Sequence, residues 1–179
     1  MGTAVVAGIG SRLPPRAVDN AELAARLGSS DEWIRTRTGV SRRYVAEPGT
    51  AVSDLAAGAG ARALKSAGGG PVDAVVLATQ TPDHPCPGTA PDVATRLGLW
   101  SAAAFDVAAV CSGFVYALAA GTGLIAAGIA GRVLVIGADA FSGILDPADR
   151  ATSVIFGDRP LSTSDAAAQD ATAHHRARP

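Results

Sequence analysis

Up to about residue 138 the chain alternates short, uninterrupted apolar runs with longer stretches whose apolar positions recur at helical spacing. Residues 3–10, 73–79, 102–107 and 132–138 predict strands, and their lack of polar alternation predicts cover on both faces. Asp19 or Asn20 is placed to cap a short helix ending near Gly28. Ser53 or Asp54 opens a second helix, which Gly68-Gly69-Gly70-Pro71 stops. Residues 89–97 predict a third helix and 112–130 a long fourth, while 29–49 read as a loop-rich excursion. Strands alternating with helices imply βαβ units, a largely parallel sheet and right-handed crossovers. Gly8 and Gly10 form a Gly-x-Gly without a third glycine, which does not make a dinucleotide fingerprint. No internal repeat is present.

From residue 107 to 131 no side chain is charged, a length that could cross a bilayer. The segment holds Cys111, Ser112, Tyr116, Thr122 and five glycines and lies between two strand-like runs, so it reads as a buried helix of a layered protein. The chain has 179 residues, 48% hydrophobic and 17% charged, with a formal net charge of −1. That suits one domain with a real core and argues against a general nucleic-acid or anionic-membrane surface. Cys86 and Cys111 are too few for a disulfide framework and suggest no metal site, which points to a reducing, cytoplasmic setting. The first residues lack a basic leader, and Val6 breaks a myristoylation pattern.

The chemistry concentrates at Ala104-Phe105-Asp106-Val107-Ala108-Ala109-Val110-Cys111-Ser112-Gly113-Phe114-Val115-Tyr116-Ala117-Leu118. A strand runs into a turn of small residues, and Cys111 stands where a long helix begins. A thiol attacks as its thiolate, and a helix N-terminus favours negative charge while offering free N–H groups to an oxyanion. A buried structural cysteine is the competing reading of the same segment.

This segment resembles the active-site signature of the ketoacyl-acyl-carrier-protein synthase III family, thiolase-fold enzymes that extend acyl chains by Claisen condensation. Ser29-Ser30-Asp31-Glu32-Trp33-Ile34-Arg35-Thr36-Arg37-Thr38-Gly39-Val40 is similar to the family's coenzyme A-binding signature. Asp146-Pro147-Ala148-Asp149-Arg150 with Val154-Ile155-Phe156-Gly157-Asp158 resembles a third block, in the family's order and spacing. The resemblance implies an α/β, thiolase-like fold, here its first α/β half with a mostly parallel mixed sheet, incomplete. It implies Cys111 as the nucleophile that takes an acyl group from acyl-CoA. Malonyl-acyl carrier protein is then the second substrate, decarboxylating to a carbanion that attacks the thioester and gives a 3-ketoacyl product for fatty acid or polyketide initiation. Trp33, Arg37 and Arg150 match the positions that grip coenzyme A, with Ser29 and Thr38 beside them. Outside the resemblance, Trp33 reads rather as a packed loop anchor and Arg37 or Arg150 as a solvated ion pair. Cys86 matches a loop position that reaches the partner's acyl pocket in the family's homodimers, and Phe156 lies near the acyl pocket or in the core. No cofactor is implied beyond acyl-CoA as substrate, and no metal.

The resemblance spans residues 3–158 and stops at Arg159-Pro160. Residues 159–179 are polar and alanine-rich with one bulky aliphatic, and read as a disordered tail, with 1–158 as the half-domain and the half's last strand lost. The abrupt change suggests a frameshift and a truncated chain, inactive alone. The family's catalytic His and Asn fall in the half not present, and His84, His174 and His175 match neither. Two alternatives stand beside condensation: an acyltransferase that never condenses, and a non-catalytic or pseudogene fragment. The uncovered long helix would leave an apolar face and poor solubility.

Overall fold

The computed structural model describes residues 4–158 and the backbone of 165–170. Its elements in chain order are β1 (Val5–Ser11), β2 (Arg16–Asp19), α1 (Asn20–Leu27), α2 (Asp31–Thr38), β3 (Arg42–Val45), α3 (Val52–Ser66), β4 (Ala74–Ala78), α4 (Ala90–Arg96), β5 (Ala103–Val107), α5 (Gly113–Ala126), β6 (Arg132–Gly137), α6 (Arg150–Ser153) and β7 (Asp165–Asp170). Five strands form one sheet in the order β1-β7-β6-β4-β5, and β2 pairs with β3 separately. β4 runs parallel to both β5 and β6, whereas β7 is antiparallel to β6 and β1. The α/β class and the mixed sheet with three parallel strands are as expected from the alternation of apolar runs.

The helices start where a donor-rich end finds an acceptor. Asp19 accepts from the Glu22 N–H at 2.9 Å and Ser30 from the Trp33 N–H at 3.1 Å. Ala51 cannot cap α3 with its side chain, and Asp83 does so from a distant loop, accepting from the N–H groups of Val52 at 2.7 Å and Ser53 at 3.2 Å. Asp106 on β5 likewise accepts from Thr89 and Ala90, each at 2.7 Å, at the start of α4. These carboxylates satisfy N–H groups that a helix leaves unpaired and favour its positive end.

One face of the sheet packs on α3 and α4 through Ala56, Ala59, Ala63, Val75, Leu77, Leu134 and Ile136. Gly8 and Gly10 explain how α3 lies so close: a Cβ on Gly10 would stand 2.3 Å from the Ala63 nitrogen, and one on Gly8 2.6 Å from its oxygen. The Gly-x-Gly of the first strand is thus a seat for a helix, which the sequence does not reveal. The other face packs on α5 through Val76, Val133 and Val135 against Ala117 and Ile125. α5 presents Gly113, Ala117, Gly121 and Ile125 inward at four-residue spacing, and Gly121 lets Val133 and Val135 approach. Val115, Tyr116 and Ile129 stay exposed.

Four expectations are corrected. β1 is an edge strand, with Val5, Val6 and Ile9 exposed, so it is covered on one face only. Residues 29–49 contain α2 and β3, missed because Ile34 is the one fully buried apolar residue of α2 and supplies no period. The long helix spans 14 residues, preceded by a 3₁₀ turn at Val110–Ser112 and ended before Gly128, whose φ is +70°. Among the described residues no helix is long and apolar enough to cross a membrane.

The fourth concerns the tail. Asp165–Asp170, expected to be disordered, forms β7 between β1 and β6, so the slot assigned to a lost strand is filled. Ladder hydrogen bonds are made by the backbone, so a run without bulky side chains can still occupy an open slot flanked by two strands. Residues 159–164 and 171–179, with His174 and His175, lie outside the described residues.

Candidate active site

Cys111 is carried by the junction between β5 and α5. After Val107 the chain passes Ala108 and Ala109 into the 3₁₀ turn, where Val110 takes φ +48°. A β-branched residue there is a strained outlier, of the kind that gathers at functional turns. Gly113 then opens α5 with helical dihedrals, packed against Ala78. The result is an exposed thiol two residues before the first residue of α5. The reading of Cys111 as a sealed core cysteine is therefore excluded.

The thiol opens onto a cavity of about 470 Å³ at the C-terminal ends of β4 and β6, lined by Ala78, Thr79 and Gln80 from one and Gly137, Ala138 and Asp139 from the other. Open parallel sheets bind ligands at this end. Phe114, Val115, Phe141, Ile155 and Phe156 give it an apolar wall. Phe156 is thus a lining residue of the cavity, stacked on Phe141 with ring centroids 4.9 Å apart. Asp139 is the carboxylate of the cavity and was not singled out by the sequence. It accepts from the Gln80 N–H at 2.6 Å and the Thr79 hydroxyl at 3.2 Å. Burial pushes its carboxyl above the ordinary range, while these hydrogen bonds pull the other way. Its signal is conformational: β4 and β6 must be paired before Asp139 meets the turn after β4.

A second cluster forms where α2 meets α6. The Arg150 guanidinium carbon lies 3.9 Å from the Trp33 ring centroid and that of Arg37 lies 4.4 Å from it. Three residues from two separated sequence blocks are thereby brought to one ring by cation–π contact. Among the described residues neither guanidinium pairs with a carboxylate. Asp149 caps α6, accepting from the Ala151 N–H at 2.9 Å and the Thr152 hydroxyl at 2.5 Å, and the latter bond holds its carboxyl below the usual range.

The remaining candidates are placed differently. The Thr38 hydroxyl donates to the Ile34 carbonyl at 2.8 Å and accepts from the Val40 N–H at 3.1 Å, which commits it to the end of α2. The Ser29 hydroxyl is buried and makes no hydrogen bond with a described residue. Cys86 stands exposed on the loop before α4 and does not line the cavity of its own chain. Asp158 is structural: almost fully buried, it accepts from Ala46 N–H and Ser142 N–H, both at 2.6 Å. Arg43, also buried, donates to Asn20 at 2.5 Å and to the Val154 carbonyl, and burial lowers its pKa. Among the described residues no three acidic, histidine or cysteine side chains gather as metal ligands.

Comparison with known proteins bears on both clusters. Residues 105–160, which include Cys111, Arg150 and Phe156, match the family described as 3-Oxoacyl-[acyl-carrier-protein (ACP)] synthase III. The chain is 65% identical over 156 residues to beta-ketoacyl-[acyl-carrier-protein] synthase III 3 of Streptomyces coelicolor, covering 86% of this chain and 47% of that protein. The crystal structure of the synthase III of Pseudomonas aeruginosa PAO1 superposes with a TM-score of 0.87 at 51% identity, over 94% of this chain and 50% of that one. The priming beta-ketosynthase of the R1128 polyketide pathway gives 0.88 at 35% identity, over 95% and 50%. The chain spans about half the length of these relatives. In sequence and in fold, over that half, the chain is similar to the beta-ketoacyl-[acyl-carrier-protein] synthase III family.

Proposed function

We propose that Cys111 takes an acyl group from acyl-CoA as the first half of a synthase III condensation. The carrying observation is the exposed thiol at a strand–helix junction, opening onto an apolar cavity of about 470 Å³. The thiolate adds to the thioester carbonyl, the oxyanion collapses, and coenzyme A leaves as its thiolate, with the acyl group on Cys111. Trp33, Arg37 and Arg150 are assigned to the nucleotide: an indole offers a stacking face, and two guanidiniums without carboxylate partners among the described residues suit phosphate oxygens. Ser29 and Thr38 are assigned beside them, although the Ser29 hydroxyl is buried and the Thr38 hydroxyl is bonded to the end of α2.

The reading carries with it malonyl-acyl carrier protein as second substrate and a reducing, cytoplasmic setting. It also carries a pair of copies in which Cys86 faces the neighbour's cavity, and the unpaired edge of β5 with half-exposed Phe105 supports such pairing.

The test is incubation of the chain with acetyl-, isobutyryl- or hexanoyl-CoA, followed by peptide mass mapping. The acyl increment is expected on the Cys111 peptide and absent in Cys111→Ala. A label that persists in Cys111→Ala, or appears on Cys86 alone, refutes the assignment.

A further inference from the structure

Phe156 belongs to two cavities. Besides the large one at Cys111, it lines a smaller cavity of about 120 Å³ together with Ser142, Leu145 and Gly157. Phe141 lines only the large cavity, and its neighbour Ser142 only the small one. The two rings stack at 4.9 Å with 29° between their planes, so the pair stands between the two spaces.

Both rings are anchored from behind. Ser142 gives its N–H to Asp158 at 2.6 Å and its hydroxyl to the same carboxylate at 2.5 Å. The Phe156 N–H donates to the Thr152 carbonyl at 3.0 Å. These bonds fix the backbone on which the rings stand, and the rings are held as a partition by stacking on each other.

We propose that the Phe141–Phe156 pair is the end stop that limits the length of chain the Cys111 cavity accepts, with Phe141 the specificity-determining ring. The proposal rests on the reading of Cys111 as acyl carrier. An apolar chain attached to Cys111 meets this pair, and shortening Phe141 deepens the large cavity against Phe156, the ring that borders the small one. Arg16, Arg26 and Arg43 border the small cavity, so the added room serves a few methylenes and no more.

The test uses methyl, butyl and octyl methanethiosulfonates on the whole chain. The Cys111 thiolate attacks the sulfenyl sulfur, forms an alkyl disulfide and expels methanesulfinate. Rates at Cys111 and at exposed Cys86 are read together by peptide mass mapping, with Cys86 as internal reference. A methylene seated in apolar surroundings is favoured by about fourfold, so Phe141→Ala is expected to raise the octyl-to-methyl rate ratio at Cys111 by about tenfold relative to Cys86. Phe141→Leu should raise it less, and Phe141→Trp should lower it. Unchanged ratios in the Leu and Trp variants overturn the proposal, whether or not the Ala variant folds. Failure of acyl-CoA to label the parent chain would instead remove the acyl-carrier reading, since the disulfide series needs no acyl donor.

Discussion

The two faces of the central sheet are built from the same strands and end very differently. On the α3–α4 face, Ala56, Ala59, Ala63, Val75, Leu77, Leu134 and Ile136 are completely removed from solvent. On the α5 face, Val76, Val133 and Val135 are equally buried, yet the covering helix leaves Val115 62% and Tyr116 58% exposed. The first face is closed and supplies the stability. The second holds Cys111, its cavity and an apolar helix surface that none of the described residues covers. The chemistry sits where packing is incomplete, because an exposed thiol and an open cavity require that incompleteness.

One substitution applied to both faces should break or confirm that contrast. Gly10→Ala places a methyl 2.3 Å from the Ala63 nitrogen and 2.6 Å from the Ala59 oxygen, so α3 must shift. A loss of about 1–3 kcal/mol is expected in denaturant titration. At the boundary, Asp139→Ala leaves the Gln80 N–H without its acceptor and is expected to lower stability by about 1 kcal/mol or more. The same residue sets a pH dependence. Its carboxyl holds a proton in the folded chain at pH values where the unfolded chain has lost it. The folded state therefore binds more protons, and stability falls as pH rises from the ordinary 3.8 through the raised value. Melting curves across that window should show the fall in the parent and a flatter profile in Asp139→Asn. Smallest and opposite in sign is Gly123→Ala on α5, where a Cβ meets nothing within 4 Å. Helix propensity alone then acts, and a gain of about 0.5–1 kcal/mol is expected in the same titration. A loss at Gly123 would mean that the α5 face is covered after all.

Much of this was legible in the sequence. Uninterrupted runs such as Ala74–Ala78 mark buried strands, and the small residues around Cys111 mark a strand–helix turn because larger ones would obstruct it. Trp33, Arg37 and Arg150 were legible only through resemblance, since no periodicity joins positions so far apart. What escaped was set by tertiary contact. Gly8 and Gly10 reveal their purpose only once α3 lies across them, and Asp83, Asp106 and Asp139 serve segments remote in sequence. Residues 165–170 lack the apolar side chains by which strands are recognised, and their place is defined by the neighbours that pair with them. Phe141 carried no motif at all.

The insertion of β7 has a consequence for the order of assembly. Val5 pairs with Asp170, so the first strand meets its neighbour across almost the whole sequence. During synthesis β1 is made early and must wait until residues 165–170 have emerged from the ribosome. Contacts of such separation close slowly, after local ones are in place. Through that interval α3, resting on the two glycines, can already cover one face of the strand, while its edge stays open to pairing.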